Sequence, residues 1–241
     1  MEPVRANPMP MRTGAKAVLA ERHQISRFVW QLLIEPLSPL QYEAGQTIAV
    51  EYGGNCAEFA LASVKDHDYY LEIQVKVNEH GTLGANLCRK VALGDMLILG
   101  DAKGNCFYHQ IDRSRQLLLV ADAHGIATCY GIVQDALKHD HPSPISLYHG
   151  VLESSELNLQ DRFHALERQY WQFNYYPCIA KEGKAEGRSG RLSRIALRDI
   201  VDPSETTLYV SGQAEMVDEV VALADECLIP EAYIRTHKHS V

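Results

Sequence analysis

The sequence predicts two domains in tandem, an antiparallel β-barrel followed by an α/β doubly wound parallel sheet. Two observations carry this. The texture changes near residue 112, from short strand-like runs to apolar runs that alternate with helix-length amphipathic segments. The length of 241 residues also suits two cores of about 100–130 residues each better than one small domain.

In the first half, which we take as residues 1–110, β-like runs fall at 15–20, 27–34, 47–52, 58–63, 70–77 and 96–99, separated by Gly, Asn and Pro. Alternation is plainest from Tyr70 to Val77, where Leu71, Ile73, Val75 and Val77 alternate with Glu72, Gln74 and Lys76. Short strands at near-even spacing read as a closed antiparallel barrel or a sandwich. One short helix, at 83–89, interrupts them. In the second half, 111–241, strands are expected at 117–120, 145–149, 173–180, 207–211 and 232–235, with helices at 127–137, 157–170, 193–199 and 216–227. Such β–α alternation requires a parallel sheet with helices on both faces.

The hydrophobic fraction of 46% and charged fraction of 22% are those of an ordinary folded chain. With 31 acidic against 23 basic side chains, a net charge of −8 and no basic run, nucleic acid is not an expected partner. No apolar stretch approaches the ~18–20 residues a membrane span needs, and the polar, Pro-rich start lacks a signal-type apolar region, so the expected home is the cytoplasm. The six cysteines stand singly without C-x-x-C spacing, and the 11 histidines form no H-E-x-x-H pattern, so no metal site is expected. His139 and His141 follow a helix; His237 and His239 belong to the tail. No nucleophile elbow appears, which leaves a hydrolase without residue-level support.

Open doubly wound sheets bind ligands at the loops that follow their strands. The first such loop, Asp122-Ala123-His124-Gly125, opens a helix whose amides could face a pyrophosphate, although Asp122 would repel it if turned inward. The second, Ser211-Gly212-Gln213 with Met216 beyond it, offers a hydroxyl and room for a flat ring; an ordinary tight strand-to-helix turn would read the same way. In the barrel half, Phe59-Ala60-Leu61-Ala62-Ser63 sets an aromatic beside small residues, as a stacking site or a plain strand. Gly81-Thr82-Leu83-Gly84 opens the short helix, as an anion turn or a Thr82 cap.

In this order, the segments resemble the ferredoxin-NADP reductase superfamily, and most its simple NAD(P)H-flavin reductases, from about residue 15 to 236. Tyr42-Glu43-Ala44-Gly45-Gln46 is similar to the turn before the flavin strand, and Phe59–Ser63 to the aromatic-Ser-x-x-Ser flavin motif. Gly81–Gly84 resembles the turn at the flavin phosphates; Leu93-Gly94-Asp95 and Gly100–Gly104 resemble the closing strands of the barrel. Residues 117–127 resemble the nicotinamide loop, Tyr148–Val151 the strand end that follows it, and Tyr209–Met216 the segment near the nicotinamide.

The resemblance implies a flavin-binding barrel and a nicotinamide-binding α/β domain. It implies FAD, or FMN, as the bound flavin and NADH or NADPH as donor. Phe59, Ala60, Leu61, Ala62, Ser63, Gly81, Thr82, Leu83 and Gly84 would meet the flavin; His124, Gly125, Gly212 and Met216 would meet the nucleotide; Ser211 would be the catalytic group. Lys181, Lys184 and Arg188 would face a 2′-phosphate or solvent. Electrons would leave to a protein acceptor, free flavin or a quinone.

Departures from the pattern are concentrated at chemical positions: Ala57 replaces the motif Arg, Ala60 the motif Ser, Asp122 and Ala123 two glycines, His124 a Thr, Thr128 a Pro, Ser211 a Cys and Gln213 a Pro. They leave a second reading, a degenerate relative serving as a binding or regulatory subunit.

Overall fold

The computed structural model describes residues 14–26, 28–77, 81–180, 191–198 and 200–239. They form two compact units, one through Lys103 and one from Gly104. That division lies before the residue-110 boundary read from the sequence, because the segment after Gly104 packs with the second unit: Cys106 Sγ lies 3.8 Å from the Arg235 carbonyl and Tyr108 Oη 3.0 Å from His141 Nδ1.

The first unit holds β1 (Ala15–Gln24), β2 (Val29–Pro36), β3 (Thr47–Tyr52), β4 (Asn55–Ala60), β5 (Leu71–Lys76), α1 (Leu83–Arg89) and β6 (Met96–Lys103). The strands run antiparallel in the order β4-β3-β6-β1-β2-β5. A bridge from Leu61 to Ile73, with the Ala62 amide donating to the Glu72 carbonyl at 2.8 Å, joins the two edge strands and closes the sheet. Closure removes the open edges that invite aggregation. Leu71, Ile73 and Val75 point into a core with Leu19, Leu32, Ile34, Ile48, Val50, Leu97 and Leu99, while α1 adds Leu83, Leu87 and Cys88.

Strand ends differ from the sequence reading where local pattern breaks. A bulge between Leu19 and Glu21 interrupts the alternation of β1, which therefore runs on to Gln24. β3 and β4 meet at Gly53 and Gly54, both with positive φ (58° and 78°), so β4 starts at Asn55 directly after a two-residue hairpin turn. β6 extends through Gly100 to Lys103 because β3 pairs with it there, a non-local support that a Gly-rich stretch does not advertise.

The second unit holds β7 (Gln116–Asp122), α2 (Ile126–Lys138), β8 (Ile145–Val151), α3 (Gln160–Gln169), β9 (Phe173–Ile179), α4 (Leu192–Arg198), β10 (Thr206–Gln213), α5 (Ala214–Glu226) and β11 (Ile234–His239). All five strands are parallel, in the order β11-β10-β7-β8-β9. α4 and α5 cover one face through Ala196, Leu197, Val217, Val220 and Ala224, packed on Leu118, Val120, Leu208 and Val210. On α3, Phe163 stacks on Tyr175 with ring centroids 4.8 Å apart. Pro177, which cannot donate to a ladder, sits on the edge strand β9. The helix expected from residue 157 begins at Gln160, since Leu159 holds a positive φ of 62°. The last strand reaches His239 rather than stopping at 235, so His237 and His239 are strand residues and not a tail.

Candidate functional site

Strand order reverses between β7 and β10: the chain proceeds from β7 through β8 to β9, then returns to the opposite side of β7. This is the topological switch point, and ligands of open α/β sheets bind outside the carboxyl ends of the strands there. Residues 122–125 and 211–213 lie side by side at that point.

Asp122, the last residue of β7, organises it. Its Oδ1 accepts from the amides of His124 at 2.7 Å and Gly125 at 3.0 Å, and its Oδ2 accepts from the amide of Gln213 at 2.7 Å. Gly125 is the N-cap residue of α2 and is required there by close approach: a Cβ would collide with the Ser211 carbonyl. Gly212 is hemmed in likewise, since a Cβ would stand 2.6 Å from Asp122 Cγ and against Met216 Cε.

Ser211 is fully buried. Its hydroxyl lies 3.2 Å from His239 Nε2 on the neighbouring strand, and the His237 and His239 rings sit 4.2 Å apart by centroid. His237 Nδ1 in turn lies 3.1 Å from Thr128 Oγ1 on α2. Burial, then the nearby His237, lower the His239 pKa to about 4, so its ring is neutral near pH 7. Asp122, His124, Gly125, Ser211, Gly212 and Met216 thus share one corner of the sheet. His237 and His239 complete it, and their position beside β10 escaped the sequence reading because Arg235, Lys238 and the histidines mask the β-branched signal of Ile234 and Thr236.

In the first unit, Phe59 is half-buried and faces α1: its ring carbon would stand 3.6 Å from a Cβ on Gly84. Gly84 itself packs on Val75, leaving 2.7 Å for a Cβ. Thr82 caps α1 by accepting from the Ala85 amide at 3.2 Å, and Leu83 points into the core. Ala60, Leu61, Ala62 and Ser63 are buried; the amides of Leu61 and Ala62 donate to Gln46 and Glu72 carbonyls, and the Ser63 hydroxyl accepts from Tyr42 at 3.2 Å. Gly81 holds a φ of 91°, and among the described residues nothing lies within 4 Å of where a Cβ there would stand; position 60 offers no side-chain hydroxyl. Lys181, Lys184 and Arg188 lie outside the described residues. Among the described residues no group of three or more His, Cys, Asp or Glu is placed to hold a metal ion, and no helix is long and apolar enough to cross a membrane.

The family model of the oxidoreductase NAD-binding domain matches residues 119–222. The NAD(P)H-flavin reductase of Vibrio harveyi is 24% identical over 194 residues, covering 78% of this chain and 81% of that one. The reductase subunit of an aromatic O-demethylase from Amycolatopsis is 27% identical over 217 residues, covering 87% of this chain and 64% of that subunit. In structure, a ferredoxin NADP+ reductase from Neisseria gonorrhoeae with bound FAD and NADP superposes with a TM-score of 0.77 at 19% identity, covering 92% of this chain and 97% of that one. A closed antiparallel barrel, a parallel sheet wound about a Gly125–Ser211 switch point and these likenesses converge: the chain is similar to flavin-dependent NAD(P)H oxidoreductases of the ferredoxin-NADP reductase type, and its residues 119–222 match the oxidoreductase NAD-binding domain.

Proposed function

We propose that the chain takes reducing equivalents from NADH or NADPH at the second unit, holds FAD at the first, and hands electrons to a separate acceptor. The observation that carries this reading is the retained switch-point geometry, in which Gly125 and Gly212 admit backbone approaches that no side chain would allow. A flavin, when bound, supplies the chemistry, accepting a hydride from the nicotinamide and releasing electrons one or two at a time. The contribution of the chain is placement. Phe59 offers a stacking face, the Gly81–Gly84 turn accommodates the phosphate end, and Ser211 with His239 lines the nicotinamide side as a neutral hydrogen-bonding pair. FAD is preferred over FMN because the structurally similar Neisseria reductase carries FAD with NADP. The acceptor is a diffusible flavin or quinone, or a partner protein of the kind a reductase subunit serves. All six cysteines are free thiols, which suits the cytoplasm.

A second reading, a binding or regulatory subunit, draws support from Asp122, because a carboxylate at the nucleotide loop opposes phosphate. The visible spectrum separates the two. Protein loaded with FAD and freed of excess is expected to keep flavin bands that bleach under anaerobic NADH or NADPH. Protein that retains no FAD would sink the oxidoreductase reading. Phe59→Ala is expected to weaken FAD retention roughly two- to tenfold, in line with the ~0.5–1.5 kcal/mol an aromatic contact adds beyond its buried area; equal retention would remove Phe59 from the site.

A further inference from the structure

The amides of His124 and Gly125 at the start of α2 donate to the side chain of Asp122. Amides converging at the start of a helix are a ready site for an anion, and here they already have one. The bonds from His124 and Gly125 close the local turn, but the bond from Gln213 crosses 91 residues to the end of β10, so both carboxylate oxygens are committed at the switch point. The carboxylate is partly buried: a Cβ on Gly212 would stand 2.7 Å from its Oδ2, and the His124 ring nitrogen lies 3.8 Å from Oδ1.

We propose that Asp122 is a built-in competitor for the phosphates of an incoming nicotinamide dinucleotide and sets a low affinity of the second unit for such ligands. A phosphate reaching these amides must displace the carboxylate or be repelled by it. The charge, rather than the shape, of residue 122 therefore determines how strongly phosphate-bearing ligands bind. This rests on the reading that the second unit takes a dinucleotide.

The test is calorimetric titration of the full chain with ADP-ribose, and with adenosine as the phosphate-free probe. Wild type, Asp122→Asn and Asp122→Glu are compared, with Asp122→Ser as a second neutral form should the Asn variant fail to fold. The neutral variants are expected to bind ADP-ribose at least about tenfold more tightly than wild type, with adenosine binding unchanged and Asp122→Glu still weak. Wild type binding ADP-ribose as tightly as the neutral forms, or Asn and Glu variants changing alike, overturns the proposal and leaves the dinucleotide site standing. Absence of ADP-ribose binding in every folded form overturns both.

Discussion

Gly125→Ala is expected to destabilise the second unit by roughly 2–4 kcal/mol and to abolish the response to nicotinamide nucleotide. The added methyl would overlap the Ser211 carbonyl, and that atom belongs to β10, a strand paired on both sides by β7 and β11. A backbone carbonyl in a paired strand cannot rotate away as a side chain can, so the start of α2 and the end of β10 must separate. Overpacking a close contact costs ~1–3 kcal/mol, and parting them also strains the Asp122–Gln213 bond. Gly84→Ala is the informative comparison. Its methyl would meet Val75 Cγ1, the end of a side chain that can turn, so a loss of ~1 kcal/mol is expected there. Thermal melts of the two variants, with FAD-loaded protein then mixed with NADH and NADPH, check both parts. A Gly125→Ala protein as stable and as responsive as wild type would show that α2 and β10 are not held at this spacing.

The ladder of elements was legible because it is written in local pattern. The alternation of Leu71, Ile73 and Val75 and the apolar runs of β7 and β10 announce strands, and every expected strand and helix is present. Ends were less legible, since Gly100 to Lys103 become strand only through β3, and Leu159 stops a helix by a backbone angle its residue type disfavours. At the site, Gly125 and Gly212 carried their own signal. The destination of the Asp122 carboxylate did not, because its third donor, Gln213, is distant in sequence. His239 was opaque for the same reason: only the register of β11 on β10 sets it beside Ser211.

That register has a thermodynamic consequence together with a second buried imidazole. His141 is fully buried, its Nδ1 lies 3.0 Å from Tyr108 Oη, and its Nε2 has no hydrogen-bond partner among the described residues. Burial is the main cause that lowers its pKa to about 4, against an ordinary value of 6.5, with the Arg115 backbone bond opposing in part. His239 is lowered to about 4 as well, by burial and by His237. Above pH ~6.5 both rings are neutral folded or unfolded, and neither makes stability depend on pH. Below it the unfolded chain takes up protons that the folded chain refuses until about pH 4. The unfolded state therefore gains, and stability falls as pH drops through that window. One pKa unit corresponds to ~1.4 kcal/mol, so His141 alone is expected to remove roughly 1–3 kcal/mol by pH 4.5. His141→Gln, which keeps a polar partner for Tyr108 but does not titrate, is expected to flatten the acid limb of urea midpoints measured from pH 7.5 to 4.5. Parallel acid limbs for variant and wild type would assign the acid sensitivity to other groups.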